Sequence, residues 1–111
     1  MAYQAQNDLL MNTDLKLVVA FICDGIKINY YQQRSKDTIY LEKEYLCAVD
    51  NDGKELWSYI PPNDEFDQPI WMGGAEATLD NKFVHVGQSN NRQLKIDPHT
   101  GRIFSNIYQH T

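Results

Sequence analysis

The sequence predicts an all-β fold of two antiparallel four-stranded meanders, and three observations lead there. Runs rich in Val, Ile, Tyr and Phe alternate with turn residues over nearly the whole chain. Asp24-Gly25 separates two of these runs by two residues, the spacing of a tight hairpin whose glycine accepts positive φ. The same succession of runs and turns then recurs beyond a proline-bounded segment at 61–69.

The first unit spans 15–60. Its runs are Leu17–Cys23, Ile26–Gln32, Ile39–Val49 and Glu55–Ile60, separated by turns at 24–25, 33–38 and 50–54. Pro61-Pro62 ends the fourth run, because proline cannot donate to a ladder. The segment 61–69 reads as a linker loop. The second unit, 70–109, comprises Ile70–Leu79 with a bulge or close approach at Gly73-Gly74, then Phe83–Gly87, Arg92–Asp97 and Arg102–Gln109. Only Ala5–Asn12 is compatible with a short N-terminal helix or arm. At 111 residues the chain is one domain, with the two sheets face to face or side by side.

Hydrophobic residues make up 42% and charged residues 23%, which excludes a disordered chain. The net charge of −5 is unevenly placed: Asp50, Asp52, Glu55, Asp64, Glu65 and Asp67 face a single base, Lys54, and the remainder is balanced. Such a surplus attracts a basic partner and disfavours nucleic acid, whose phosphates need a positive stripe. Tyr30-Tyr31-Gln32-Gln33-Arg34 accordingly reads as sheet packing and not as a base-stacking surface. Met1–Asp14 has no secretory signal pattern, and no run is long and apolar enough to span a bilayer. A cytoplasmic protein that binds no membrane is expected, with Cys23 and Cys47 as small buried hydrophobes.

No catalytic grouping is legible, so a binding protein is expected and not an enzyme. His85, His99 and His110 lack metal-ligand spacing, and His85 reads as a solvent-facing sheet residue. Asp50-Asn51-Asp52-Gly53 fails as a calcium loop, since Ala48 and Tyr59 occupy positions that require carboxylates. Glu42 and Glu44 alternate on one face of a run, opposed by Lys43, and read as a solvated edge.

The two units agree best at their third turns. Val49-Asp50-Asn51-Asp52-Gly53-Lys54 aligns with Ile96-Asp97-Pro98-His99-Thr100-Gly101-Arg102, and Leu56-Trp57-Ser58 with Ile103-Phe104-Ser105. An Asp that accepts turn N–H groups, a Gly for positive φ and a base recur in both. These residues, with Ala48, resemble the blade repeat of PQQ-like (quinoprotein-type) β-propellers. The resemblance implies blade-like sheets in a half-propeller or sandwich. Lys95 stands where the first unit has Ala48, and Phe104 replaces the Trp. Two blades cannot close a ring of four to eight, so no quinone, metal or other cofactor is carried over. The unclosed edges suggest an alternative function, an assembly module that completes a propeller by self-association.

The wider profile, short, acidic and without an active site, resembles small bacterial immunity proteins, including those of contact-dependent growth-inhibition systems. That resemblance implies an inhibitor of a cognate toxin, commonly a nuclease. The expected partner surface is Asp50, Asp52, Glu55, Asp64, Glu65, Phe66 and Asp67. In it a proline-stiffened loop offers Phe66 as an apolar anchor among carboxylates. The competing reading for Phe66 and Trp71 is that both rings tuck into the core.

Overall fold

A computed structural model describes residues 15–35 and 41–108, with side chains as far as Phe104. Eight strands follow one another: β1 (Lys16–Cys23), β2 (Ile26–Arg34), β3 (Leu41–Val49), β4 (Glu55–Tyr59), β5 (Glu76–Ala77), β6 (Val84–Gly87), β7 (Arg92–Ile96) and β8 (Ile103–Tyr108). They form two antiparallel four-stranded sheets, each in sequence order, so the chain is all-β among its described residues. The helix or arm expected at Ala5–Asn12 lies outside the described residues.

Turn chemistry places the strands. Asp24 and Gly25 both have positive φ (49° and 82°), which matches the strand twist and closes β1 onto β2 with Cys23 opposite Ile26. At the β3–β4 turn, one carboxylate oxygen of Asp50 accepts the N–H groups of Asp52 and Lys54 (both 2.9 Å). In the equivalent β7–β8 turn the Asp97 carboxylate accepts the His99 N–H at 2.7 Å. The aspartate role expected of both turns is thus present in both.

Strand alternation points Ile28 and Tyr30 of β2, Leu46 and Ala48 of β3 and Trp57 of β4 to one face. Val84 and Val86 of β6 and Leu94 and Ile96 of β7 do the same in the second sheet. These residues share one core, so the sheets meet through their inner faces. One end of the pair, the lower, gathers the turns at 24–25, 50–54, 78–82 and 97–102. Its links are the Cys23 thiol to the Asn81 carbonyl (3.7 Å) and His99 to Asp24 (2.9 Å). The upper end gathers 60–75 and 88–91.

The first strand of the second unit is far shorter than the predicted Ile70–Leu79. Only Glu76–Ala77 pairs with β6, and 70–75 is irregular. Gly73 and Gly74 take φ of 75° and 149°, outside the strand region, and the amides just before them are satisfied elsewhere. The Trp71 N–H donates to Ser89 Oγ (2.9 Å), and the Met72 and Gly73 N–H groups donate to Glu44.

Trp57 ties the first unit to the last turn. Its indole N–H donates to the Pro98 carbonyl at 2.8 Å, and its Cβ and ring root lie close against Gly101. A Cβ on Gly101 would stand 2.7 Å from Trp57 Cγ, and φ there is +78°. Gly101→Ala is therefore expected to cost about 2 kcal/mol or more, from left-handed strain plus overlap with the ring. Gly53 has a similar φ of +79° with nothing within 4 Å of an added Cβ, so Gly53→Ala should lose only the conformational part, about 1 kcal/mol. Urea denaturation of the two variants side by side measures the difference, and equal losses would show that the indole contact is not what this glycine protects.

Candidate functional site

The upper end is organised by a carboxylate that the sequence reading assigned to solvent. Glu42 is exposed as expected, but Glu44 is 3% exposed. It alternates with Leu46 and Ala48 on the inner face of β3, which carries it between the sheets. There it accepts the Tyr30 hydroxyl and the backbone N–H groups of Met72 (2.6 Å) and Gly73 (2.7 Å). Tyr30 in turn accepts Gln32 Nε2 at 2.8 Å, and Gln32 accepts Arg34 at 3.1 Å. Burial, then the Glu44 bond, push the Tyr30 hydroxyl above the ordinary tyrosine range, so it stays a donor. A buried carboxylate is tolerable only with donors of this kind, and these three come from both halves of the chain.

This bond set anchors one end of the segment 61–71; Pro61-Pro62 stiffens the other. Between them, residues 64–68 repeat the turn of 50–54. Asp64 Oδ1 accepts the N–H groups of Phe66 (2.8 Å) and Gln68 (2.9 Å), the Asp64 N–H donates to the Gln68 carbonyl (2.8 Å), and Asp67 takes φ of 60° where the earlier turn has Gly53. Asn63 Nδ2 donates to the Asp67 carboxylate at 2.9 Å. The loop thus has a defined backbone without a ladder of its own, and Phe66 stands at its tip, 75% exposed. Trp71, half-buried, packs at its base.

Two cavities flank the segment. One, of about 280 Å³, is lined mainly by apolar groups, among them Leu15, Ile60, Pro61, Ile70 and Trp71, with Glu42, Lys43 and Glu44 also in its wall. The other, of about 590 Å³, lies between Asp64, Glu65 and Phe66 on one side and Gln88, Arg92 and Leu94 on the other. The sequence reading missed Ile60 and Ile70 as site residues. The available signal was their position at either side of the prolines, where an apolar side chain has no strand to bury it.

The seven residues expected to form one partner surface fall into separate places. Asp64, Glu65, Phe66 and Asp67 are together at the upper end. Asp50 and Asp52 lie in the lower turn, beyond the five-residue β4, a separation of about 13 Å along the strand. Glu55 sits on the outer face of the first sheet, where it accepts the Tyr45 hydroxyl, and burial raises its carboxyl above the usual carboxylate range. The lower end gains Asp24, Asp80 and Asp97, whose carboxylates reach Cys23 electrostatically. Asp80 is held below the ordinary range by the Thr78 hydroxyl and the Lys82 N–H.

Both cysteines are buried and unpaired. Burial, with Glu55 adding to it, pushes the Cys47 thiol up to about 12. Cys23 is raised by burial and then by Asp24, Asp80 and Asp97. His85 lies on the outer face of the second sheet, opposite to Val84 and Val86 as expected, part-exposed, bonded to Gln93 and 3.5 Å from Glu76. Among the described residues, no group of three or more His, Cys, Asp or Glu side chains is placed to hold a metal ion, and no helix is long and apolar enough to cross a membrane.

Glu44→Gln turns an –NH₂ toward groups that are all donors, and it is expected to cost about 2–4 kcal/mol. Hydrogen exchange should rise at the Met72 and Gly73 amides ahead of those of Val84 and Val86; unchanged protection at 72 and 73 would show that Glu44 does not hold the segment. Native Cys47 should react with a thiol reagent at pH 8 about a thousandfold more slowly than in the urea-unfolded chain, because the thiolate fraction falls with the raised pKa. Equal rates would contradict that burial.

Compared with known proteins, the chain matches no family model, no curated protein and no solved structure.

Proposed function

We propose that the chain is an immunity-type inhibitor in the cytoplasm, which binds one basic toxin domain, a nuclease, and blocks its active site. The observation that carries this reading is Phe66, 75% exposed at the tip of a loop whose backbone is already fixed. A large exposed ring held in one conformation loses little entropy on binding, which is the condition for an anchor residue. Glu65 and Asp67 beside it present carboxylates where a nuclease's Lys and Arg side chains expect phosphate oxygens. The Asp64 carboxylate is already occupied by its own turn, so its contribution is to shape the loop. The apolar cavity beside Trp71 is large enough to receive a side chain from the partner.

Asp50 and Asp52 serve differently in this reading. One strand length from Phe66, they add to the long-range field that speeds encounter without touching the same partner surface. Glu55, bonded to Tyr45, takes no direct part. The propeller-blade resemblance contributes a scaffold to this reading and neither a cofactor nor a catalytic step.

The test is co-expression with the product of the adjacent open reading frame. The expected outcome is a neighbour that arrests growth alone and is neutralised by this chain; a harmless neighbour, or no protection, sinks the reading. With the complex in hand, Phe66→Ala should cost about 2 kcal/mol or more of affinity, mostly through faster dissociation. Glu65→Lys should instead slow association and weaken its salt dependence. Unchanged binding by both variants would move the contact away from this loop.

A further inference from the structure

We infer that the apolar cavity beside Trp71 takes an arginine side chain of the basic partner, with its stem along the apolar wall and its guanidinium at the Glu44 end. This names the group the partner supplies, so it rests on the inhibitor reading and deepens it. The cavity, of about 280 Å³, has two kinds of wall. Ile60, Pro61, Ile70 and Trp71 offer aliphatic and aromatic surface, and Ile60 is 58% exposed, apolar area that a bound side chain would cover. Glu42, Lys43 and Glu44 border it from β3. Strand alternation puts both carboxylates on one face of β3 and the Lys43 side chain on the other, and the balance of the three charges is negative.

The buried carboxylate decides which guest fits. A carboxylate accepts about four hydrogen bonds. Glu44 Oε2 accepts the Tyr30 hydroxyl and the Gly73 N–H, and Oε1 accepts the Met72 N–H, so among these partners Oε1 keeps room for one donor more. The three donors are neutral groups, and the carboxylate is 3% exposed, so water screens its charge little. An acidic guest would be repelled by Glu42 and Glu44, and an aliphatic one would leave the remaining acceptor position dry. A lysine ammonium is strongly hydrated and would exchange its water bonds for a single acceptor. A guanidinium is more weakly hydrated, donates from its edge and lays its face on an aromatic ring, here that of Trp71. The exposed Glu42, two positions away on the same face, adds a second carboxylate to the attraction.

Titration of the full chain with n-butylguanidinium, followed by NMR at the Trp71 indole and the Met72 and Gly73 amides, tests this without any toxin. n-Pentanol, a neutral probe of similar length, and n-pentylammonium are the comparisons. The expected result is a saturable shift at all three residues, with butylguanidinium binding about tenfold more tightly than pentanol, and more tightly than pentylammonium. Because Glu44→Gln disturbs the segment itself, the variant used is Glu42→Gln, at an exposed position. It should weaken butylguanidinium by about twofold to fourfold and leave pentanol unchanged. Equal affinity for pentanol overturns the inference and makes the cavity a slot for an uncharged side chain. Tighter binding of pentylammonium overturns it in favour of lysine, and a chain that responds to none of the probes overturns it altogether. A harmless neighbour in the co-expression experiment would sink the inhibitor reading and leave the titration as it stands, so the two failures are told apart.

Discussion

A carboxylate closed between two sheets sets the terms for the rest of this structure. Taking Glu44 out of water is costly; what makes it tolerable is a tyrosine hydroxyl from its own sheet and two consecutive amides from the segment that leads into the other. The amides are available because Met72 and Gly73 do not enter a ladder, and they stay out of one because Gly73 and Gly74 hold conformations that a strand does not use. Burial of Glu44, truncation of β5 and the course of the 61–71 loop are therefore one event seen from three places. The exposure of Phe66 depends on that event, since its loop is held at the base by this bond set.

Most of the strand order was legible because it is written in local chemistry. The Asp24-Gly25 hairpin, the Asp50 and Asp97 turns and the proline stop at 61–62 each require only residues next to one another. What was illegible depended on neighbours remote in sequence. Glu44 followed by a run of four buried residues looks like the polar end of a strand, and only the arrival of Met72, 28 positions on, makes its site dry. The Ile70–Leu79 run has strand composition, but composition does not count where its amides are spent. Whether the sheets faced each other was equally remote, resting on contacts such as Trp57 against Gly101.

The candidate site was legible in part, and the missing part is geometric. A cluster of acids along the chain becomes a cluster in space only if no extended strand intervenes. β4 intervenes, so the acidic span divides between the two ends of the molecule. Proximity in space instead adds Asp24, Asp80 and Asp97 to the lower end, each from a different turn of the meander. Several of these carboxylates also hold their own turns closed, as Asp50, Asp64 and Asp97 do, and that makes them structural before they are electrostatic.

The indole of Trp57 has a consequence for synthesis. Its hydrogen-bond acceptor, Pro98, is 41 residues further along the chain, and the apolar partners of Ile28, Leu46 and Ala48 lie in strands made almost as late. At a translation rate of roughly 5–20 residues per second, the first meander emerges with its inner face wet for several seconds before anything can cover it. During that interval the nascent chain offers a greasy surface to whatever stands near the ribosome exit, so safe folding of this small protein is a matter of timing as well as of sequence.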